Sequence, residues 1–300
     1  MAEQTSVRPS VLEKQADNKT ESGYWRDTFR RLRQHRIGMI GLVLVVLLLF
    51  VAAFGQYLAP YDPNEIDMEA RFLPPTLEHP MGTDDFGRDT LSRIMYGARV
   101  SLQVGIIAVS IAASVGTFLG LIAGYGGRLP DEFIMRAMDI LFAFPAILLA
   151  IAILAALGKG VTNAMIAIGV VYIPIFARIA RGEVLSIRGK EFIDAARASG
   201  ASSRRIMSRH ILPNASGPLI VEITLSLAFA ILAEAALSFF GLGTQPPDPS
   251  WGRMLSEGRA YFRQSPWMAI FPGLAIMITV MGFNFLGDGL RDAMDPRHTT

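Results

Sequence analysis

Three stretches of this 300-residue chain hold no Asp, Glu, Lys or Arg: residues 37–61 (25 residues), 100–127 (28) and 264–287 (24). A helix of about 20 apolar residues crosses a bilayer core. Within lipid, a helix satisfies every backbone N–H and C=O inside its own segment. These runs predict spanning helices and exclude a soluble protein. Two shorter uncharged runs, 140–158 (19) and 160–177 (18), predict two more. Residues 217–241, interrupted by Glu222 and Glu234, complete a set of six. Only 18% of the chain is charged, against about 25% in an ordinary soluble domain. The expected fold class is therefore an all-α polytopic membrane protein with six transmembrane helices.

Basic residues set the orientation. With the N-terminus inside, the alternating segments on that side hold 20 of the 28 Lys and Arg residues, and the other side holds 8. Positive charge favours the cytoplasm, so both termini are expected there. Residues 1–36 read as a cytoplasmic segment, disordered over the first 20. Arg26, Arg30, Arg31, Arg33 and Arg36 stand just before the first span. This leader is too long and too charged for a cleaved signal peptide, and the first helix is expected to remain as an anchor. Residues 37–300 form the transmembrane domain, with outer loops at 60–98 and 242–266 and an inner loop at 183–217.

The first outer loop carries eight acids and the turn-forming Pro60, Pro63, Pro74, Pro75 and Pro80. Residues 90–99 read as a short amphipathic helix leading into the second span. Asp84, Asp85, Arg88, Asp89 and Arg93 alternate in sign, which predicts ion pairs or an extracytoplasmic contact rather than catalysis. Trp251 and Trp267 fit an aromatic belt at the membrane surface.

Catalytic patterns are missing. The sequence has no phosphate-binding G-x-x-x-x-G-K-[ST], no H-E-x-x-H, no G-x-S-x-G and no dinucleotide-binding glycine motif. Its four histidines fall on both sides of the membrane, and cysteine is absent. Neither an enzyme nor a cofactor or metal site is expected, and energised work would need a nucleotide held by another chain. A self-sufficient ion-driven transporter or channel stays open as the alternative.

Inside the spans, Glu234 stands out because a carboxylate at mid-membrane costs roughly 2.5–3.5 kcal/mol on insertion scales. It is read either as lining a translocation path or as an inter-helix hydrogen bond. Glu222 lies 12 positions earlier, a net turn of about 120° on a helix, so the two acids do not share a face. Glu222 is expected to be structural, pairing with a loop arginine. Pro145, Pro174 and Pro272 interrupt spans three, four and six and read as kinks. Gly116, Gly120 and Gly124 form a small-xxx-small series for close packing, within the chain or against a partner. Gly282, Asn284, Gly287 and Gly289 give the last span a polar, small inner end, with Asn284 a second path candidate.

The inner loop is the most informative segment. Residues 191–199 read as a short helix, Gly200 as a turn with positive φ, and residues 202–211 as a second helix ended by Pro213. Ala195, Ala196, Ala198, Ser199, Gly200 and Ala201 leave a bare surface ringed by Arg197, Arg204, Arg205 and Arg209, a docking knob that another backbone can approach. The pattern Asp194-Ala195-Ala196-x3-Gly200, ten residues, then Ile211-Leu212-Pro213 resembles the "EAA" loop of ABC-importer permeases. Asp194 stands where Glu is common, and His210 where an aliphatic residue is common. The segments 81–93 (MGTDDFGRDTLSR), 238–247 (SFFGLGTQPP) and 284–296 (NFLGDGLRDAMDP) extend the resemblance to the second permease subunit of dipeptide and oligopeptide importers.

That resemblance implies a subunit of a bacterial or archaeal inner membrane, paired with a homologous permease around a translocation path. Ile193, Asp194, Ala195, Ala196, Gly200, Ala201 and Arg205 would couple it to two cytoplasmic ATPase subunits. Those subunits would bind the ATP and Mg, and an extracytoplasmic binding protein would deliver peptide. The remaining contacts would be with membrane lipid, and none with nucleic acid.

Overall fold

The computed structural model describes residues 21–294, with side chains from Arg26 onward. The disorder expected for residues 1–20 lies outside the described residues. The helices in chain order are α1 (Glu21–Gln34), α2 (Arg36–Leu58), α3 (Thr90–Tyr125), α4 (Arg128–Phe142), α5 (Ala146–Leu157) and α6 (Val161–Ile187). They are followed by α7 (Glu191–Ala198), α8 (Ser203–Ile206), α9 (Leu212–Phe239), α10 (Trp251–Ala260) and α11 (Trp267–Met294). No β-strand occurs among the described residues.

Five helices are long and apolar enough to cross a membrane: α2, α3, α6, the run Ser203–Phe239 and α11. The kink expected at Pro145 in the third span is present and is sharper than a kinked helix. α4 and α5 meet at an angle of 93° and count as one span only if the bent pair is taken together. The cause is local. Pro145 caps α5, and the residue before a proline is pushed out of helical geometry. An uncharged run reports polarity and carries no information about the direction of the axis. Pro174 and Pro272, by contrast, lie buried inside unbroken α6 and α11.

The amphipathic start of the second span is no separate element, because α3 runs unbroken over 36 residues from Asp89, whose carboxylate accepts the Ser92 N–H. The glycine series on α3 faces α6 within the same chain. A Cβ at Gly116 would stand 2.6 Å from the Ile173 carbonyl oxygen, and one at Gly124 would stand 2.6 Å from Val184 Cβ. Gly120 meets the Ala177 carbonyl. Without side chains at these three positions the two backbones come close enough for extended dispersion contact. On the other flank α11 lies along α2, where Gly38 and Gly289 touch.

The loop over residues 60–98 is tied down by polar bonds. Trp251 differs from the belt expectation because it is buried, its indole N–H donating to the Ile94 carbonyl at 3.0 Å; half-buried Trp267 donates to the Thr83 carbonyl at 3.1 Å. A buried indole needs a partner for its N–H, and the folded loop supplies one. The alternating charges do form internal pairs. Arg88 Nε binds Asp84 Oδ2 at 2.6 Å, and Arg93 reaches Asp84 and Glu257.

Candidate functional site

The inner loop is braced from below. Ile193, Ile206 and Ile211 are buried and join Val184 and Ile187 in the hydrophobic core, so the loop is a rigid projection of the bundle. Ile193, the one buried residue of α7, fixes which face turns outward: Phe192, Asp194, Ala195, Arg197, Ala198, Ser199 and Gly200 are exposed, and Ala196 and Ala201 are half-buried. Asp194 pairs with Arg197 at 3.2 Å.

Gly200 ends α7 with φ of +80°. Its N–H donates to the Arg197 carbonyl at 2.9 Å, and the Ala201 N–H donates to the Ala196 carbonyl at 3.0 Å. This pair of bonds is a Schellman motif, which needs a left-handed residue at its turn. Nothing in the chain lies within 4 Å of a Cβ added at Gly200, so the position is open to an approaching partner. Ser202 then caps α8 by accepting the Arg205 N–H. Exposed Arg204, Arg205 and Arg209, with Ser202 and Ser208, surround a shallow cavity of about 360 Å³.

The second loop helix corrects its prediction, because Pro213 does not end it. α8 passes through the π-helix Met207–Ile211 directly into α9, where Pro213 sits in the first turn. Pro213 follows closely on the π-helix, where the regular i→i−4 ladder is already interrupted. The loop and the fifth span are thus one continuous rod.

Toward the other end of that rod, Glu234 is 1% exposed. Its carboxylate accepts the hydroxyls of Ser101 on α3 at 3.1 Å, Ser238 at 2.7 Å and Thr244 at 3.5 Å. In the single subunit it faces these groups, and contact with a cargo would require α9 to part from α3. Glu222 differs from expectation: its partner is the Ser226 hydroxyl at 2.9 Å, one turn along its own helix. Asn284 is half-buried on α11.

One feature escaped the sequence. Arg178 and Glu183 of α6, Glu222 of α9 and Arg291 of α11 line a cleft of about 580 Å³. Their signal lay in charges at the ends of different spans, which no single linear motif joins.

Residues 116–300 match the family of binding-protein-dependent transport system inner membrane components, and residues 23–75 match the N-terminal transmembrane domain of oligopeptide transport permease C. The chain belongs to this permease family. The permease is 50% identical over 281 residues to the dipeptide transport system permease protein DppC of Alkalihalophilus pseudofirmus, covering 94% of this chain and 92% of that protein. It is 47% identical over 274 residues to the glutathione transport system permease protein GsiD of Escherichia coli, covering 91% and 90%. Among solved structures it resembles the MetNI methionine ABC transporter in inward-facing conformations, with a TM-score of 0.55 and 19% identity over 66% of the permease and 94% of that chain. The fold is thus the one shared with that permease, and the chain is a multi-pass transporter component of the ABC-importer class.

Proposed function

We propose that the permease forms, with a homologous partner, the translocation path of an ATP-driven importer of short peptides. Its inner loop would be the coupling element. The observation that carries this reading is the Gly200 turn, a rigid, small-residue projection braced by Ile193, Ile206 and Ile211 and open on its outer side. Ile193, Asp194, Ala195, Ala196, Gly200, Ala201 and Arg205 would seat in a groove of a cytoplasmic ATPase. Its two copies would hold ATP and Mg, and both termini of the permease would lie on the same side. The names of the dipeptide and glutathione relatives support a cargo of short peptides, delivered by an extracytoplasmic binding protein.

Because the loop joins α9 without a break, a push on it is delivered along the rod to the Glu234 cluster that clamps α9 to α3. The test is purification of the tagged chain from its native membrane beside a Gly200→Trp variant, together with dipeptide uptake. Recovery of a second permease and ATPase subunits, with the ATPases and uptake lost in the variant, is the expected result. Recovery of the native chain alone, with gradient-driven transport intact, would replace this reading with an ion-driven transporter.

A further inference from the structure

We infer that α1 is a binding surface for anionic phospholipid headgroups, held in a fixed orientation at the membrane edge. Its residues sort cleanly by angle at 100° per residue. Arg26, Arg30 and Arg33 fall within about 60° of one another, and Phe29 lies beside them. All four are exposed, Phe29 at 55%. Thr28 and Leu32 fall on the opposite side and are buried. Leu32 Cδ1 occupies the notch that Gly38 of α2 and Gly289 of α11 leave open, 2.9 and 3.0 Å from where their Cβ atoms would stand. This plug fixes the rotation of α1 about its own axis, so the arginine face points away from the bundle.

The joint to α2 is held as well. His35 Nδ1 accepts the Gly38 N–H at 2.9 Å, and its Nε2 lies 3.1 Å from Asp292 Oδ2 on α11. Beyond that joint α2, the least covered of the spans, exposes Ile37, Ile40 and Val43. The guanidinium row thus stands on the helix that leads directly into a membrane-spanning helix with an exposed apolar face. Guanidinium forks match phosphate oxygens in two-pronged geometry, and an aromatic ring among arginines is the composition of helices that lie at the headgroup boundary. Asp27 flanks the row, leaving its charge positive. Headgroups of zwitterionic lipids offer this face no net charge, whereas anionic ones do.

The chain contains no cysteine, so Phe29→Cys places one unique thiol on this face. The variant would carry an environment-sensitive dye in the assembled transporter, with thiols of other subunits blocked, in vesicles where either phosphatidylglycerol or phosphatidylcholine bears the quenching bromines. Quenching by brominated phosphatidylglycerol well above that by brominated phosphatidylcholine is expected, and it should fall as salt is raised. Replacing Arg26, Arg30 and Arg33 together by Gln should reduce the preference by about five-fold per arginine, while replacement by Lys should keep most of it. If the Gln variant does not assemble, the salt dependence of the native arginines decides in its place. Equal quenching by both lipids would overturn the proposal. So would no quenching by either, which would mean that protein covers the face.

Discussion

Arg93, at the start of α3, is 1% exposed and reaches across to Glu257 of α10, with Nη2 to Oε2 at 3.5 Å. The same guanidinium donates to the Pro63 carbonyl at 3.0 Å and lies 3.6 Å from Asp84 Oδ2. One side chain thus joins the loop 60–98, the loop 242–266 and the second span. Removing one partner of a buried ion pair leaves the others uncompensated, at about 3–5 kcal/mol. Arg93→Ala should therefore lower the melting temperature of the purified assembly sharply and open residues 60–98 to protease. A variant that melts and resists protease like the native chain would refute the clamp.

Asp85 belongs to the same cluster, and burial holds its carboxyl above the usual carboxylate range. The negative charge of Asp84 pushes the same way, and Arg88 opposes both. A raised folded-state pKa means that the protonated form is favoured in the fold. Its stabilising effect is complete below the ordinary carboxylate pKa and disappears as pH rises through the raised value. Asp85→Asn, which stays neutral, should stabilise the protein at neutral pH. Its advantage should shrink as pH falls from the raised value towards the ordinary carboxylate pKa, and be gone below it. Melting curves at both ends of that window check this, and an advantage that grows on acidification would contradict it.

The same substitution should act by different physics at two glycines. Gly120→Ala drives a methyl against the Ala177 carbonyl and within 2.7 Å of Ala180 Cβ, an overpacking cost of about 1–3 kcal/mol. Gly200→Ala meets no atom and pays only for its positive φ, roughly 1–2 kcal/mol confined to the turn. Gly120→Ala should reduce yield and melting temperature of the isolated chain. Gly200→Ala should leave both nearly native and reduce recovery of the ATPase. Equal losses of yield at the two positions would count against the assignment of α3–α6 packing.

For Glu234 the informative pair is Gln and Ala. Gln keeps one acceptor oxygen for one serine and offers an N–H that the other hydroxyl can accept, while Ala strands both hydroxyls at about 1–3 kcal/mol and also opens a cavity. Thermal stability should therefore fall far more for Ala than for Gln, with uptake by Glu234→Gln near the native rate. A Gln variant that is fully stable but transports nothing would assign the carboxylate charge to the cargo instead.

Several elements could be read directly from the chain because single residues dictate them. Gly200 between two short helices needed only the conformational freedom of glycine, and the spacing of Gly116, Gly120 and Gly124 announced a close helix contact. The rest depended on neighbours distant in sequence. Trp251 reads as a membrane-surface residue until the Ile94 carbonyl is known to lie beside it, and Arg93 reads as a loop charge until Glu257 arrives. Pro213 looked like a terminator because a proline inside a helix and one at its first turn are the same letter. The kink at Pro145 was legible in the proline itself, but its 93° size was not, because the residues on both sides of it are apolar.

The π-helix Met207–Ile211 has one more consequence. It places an extra residue in an otherwise continuous shaft of 37 residues, roughly 55 Å long. Each residue advances the azimuth of everything beyond it by about 100°, so this insertion sets the compass bearing at which the knob at Gly200 faces relative to Glu222 and Glu234. Deleting one residue there would heal the ladder yet swing the knob about a quarter turn around the shaft, leaving a well-formed loop aimed in the wrong direction.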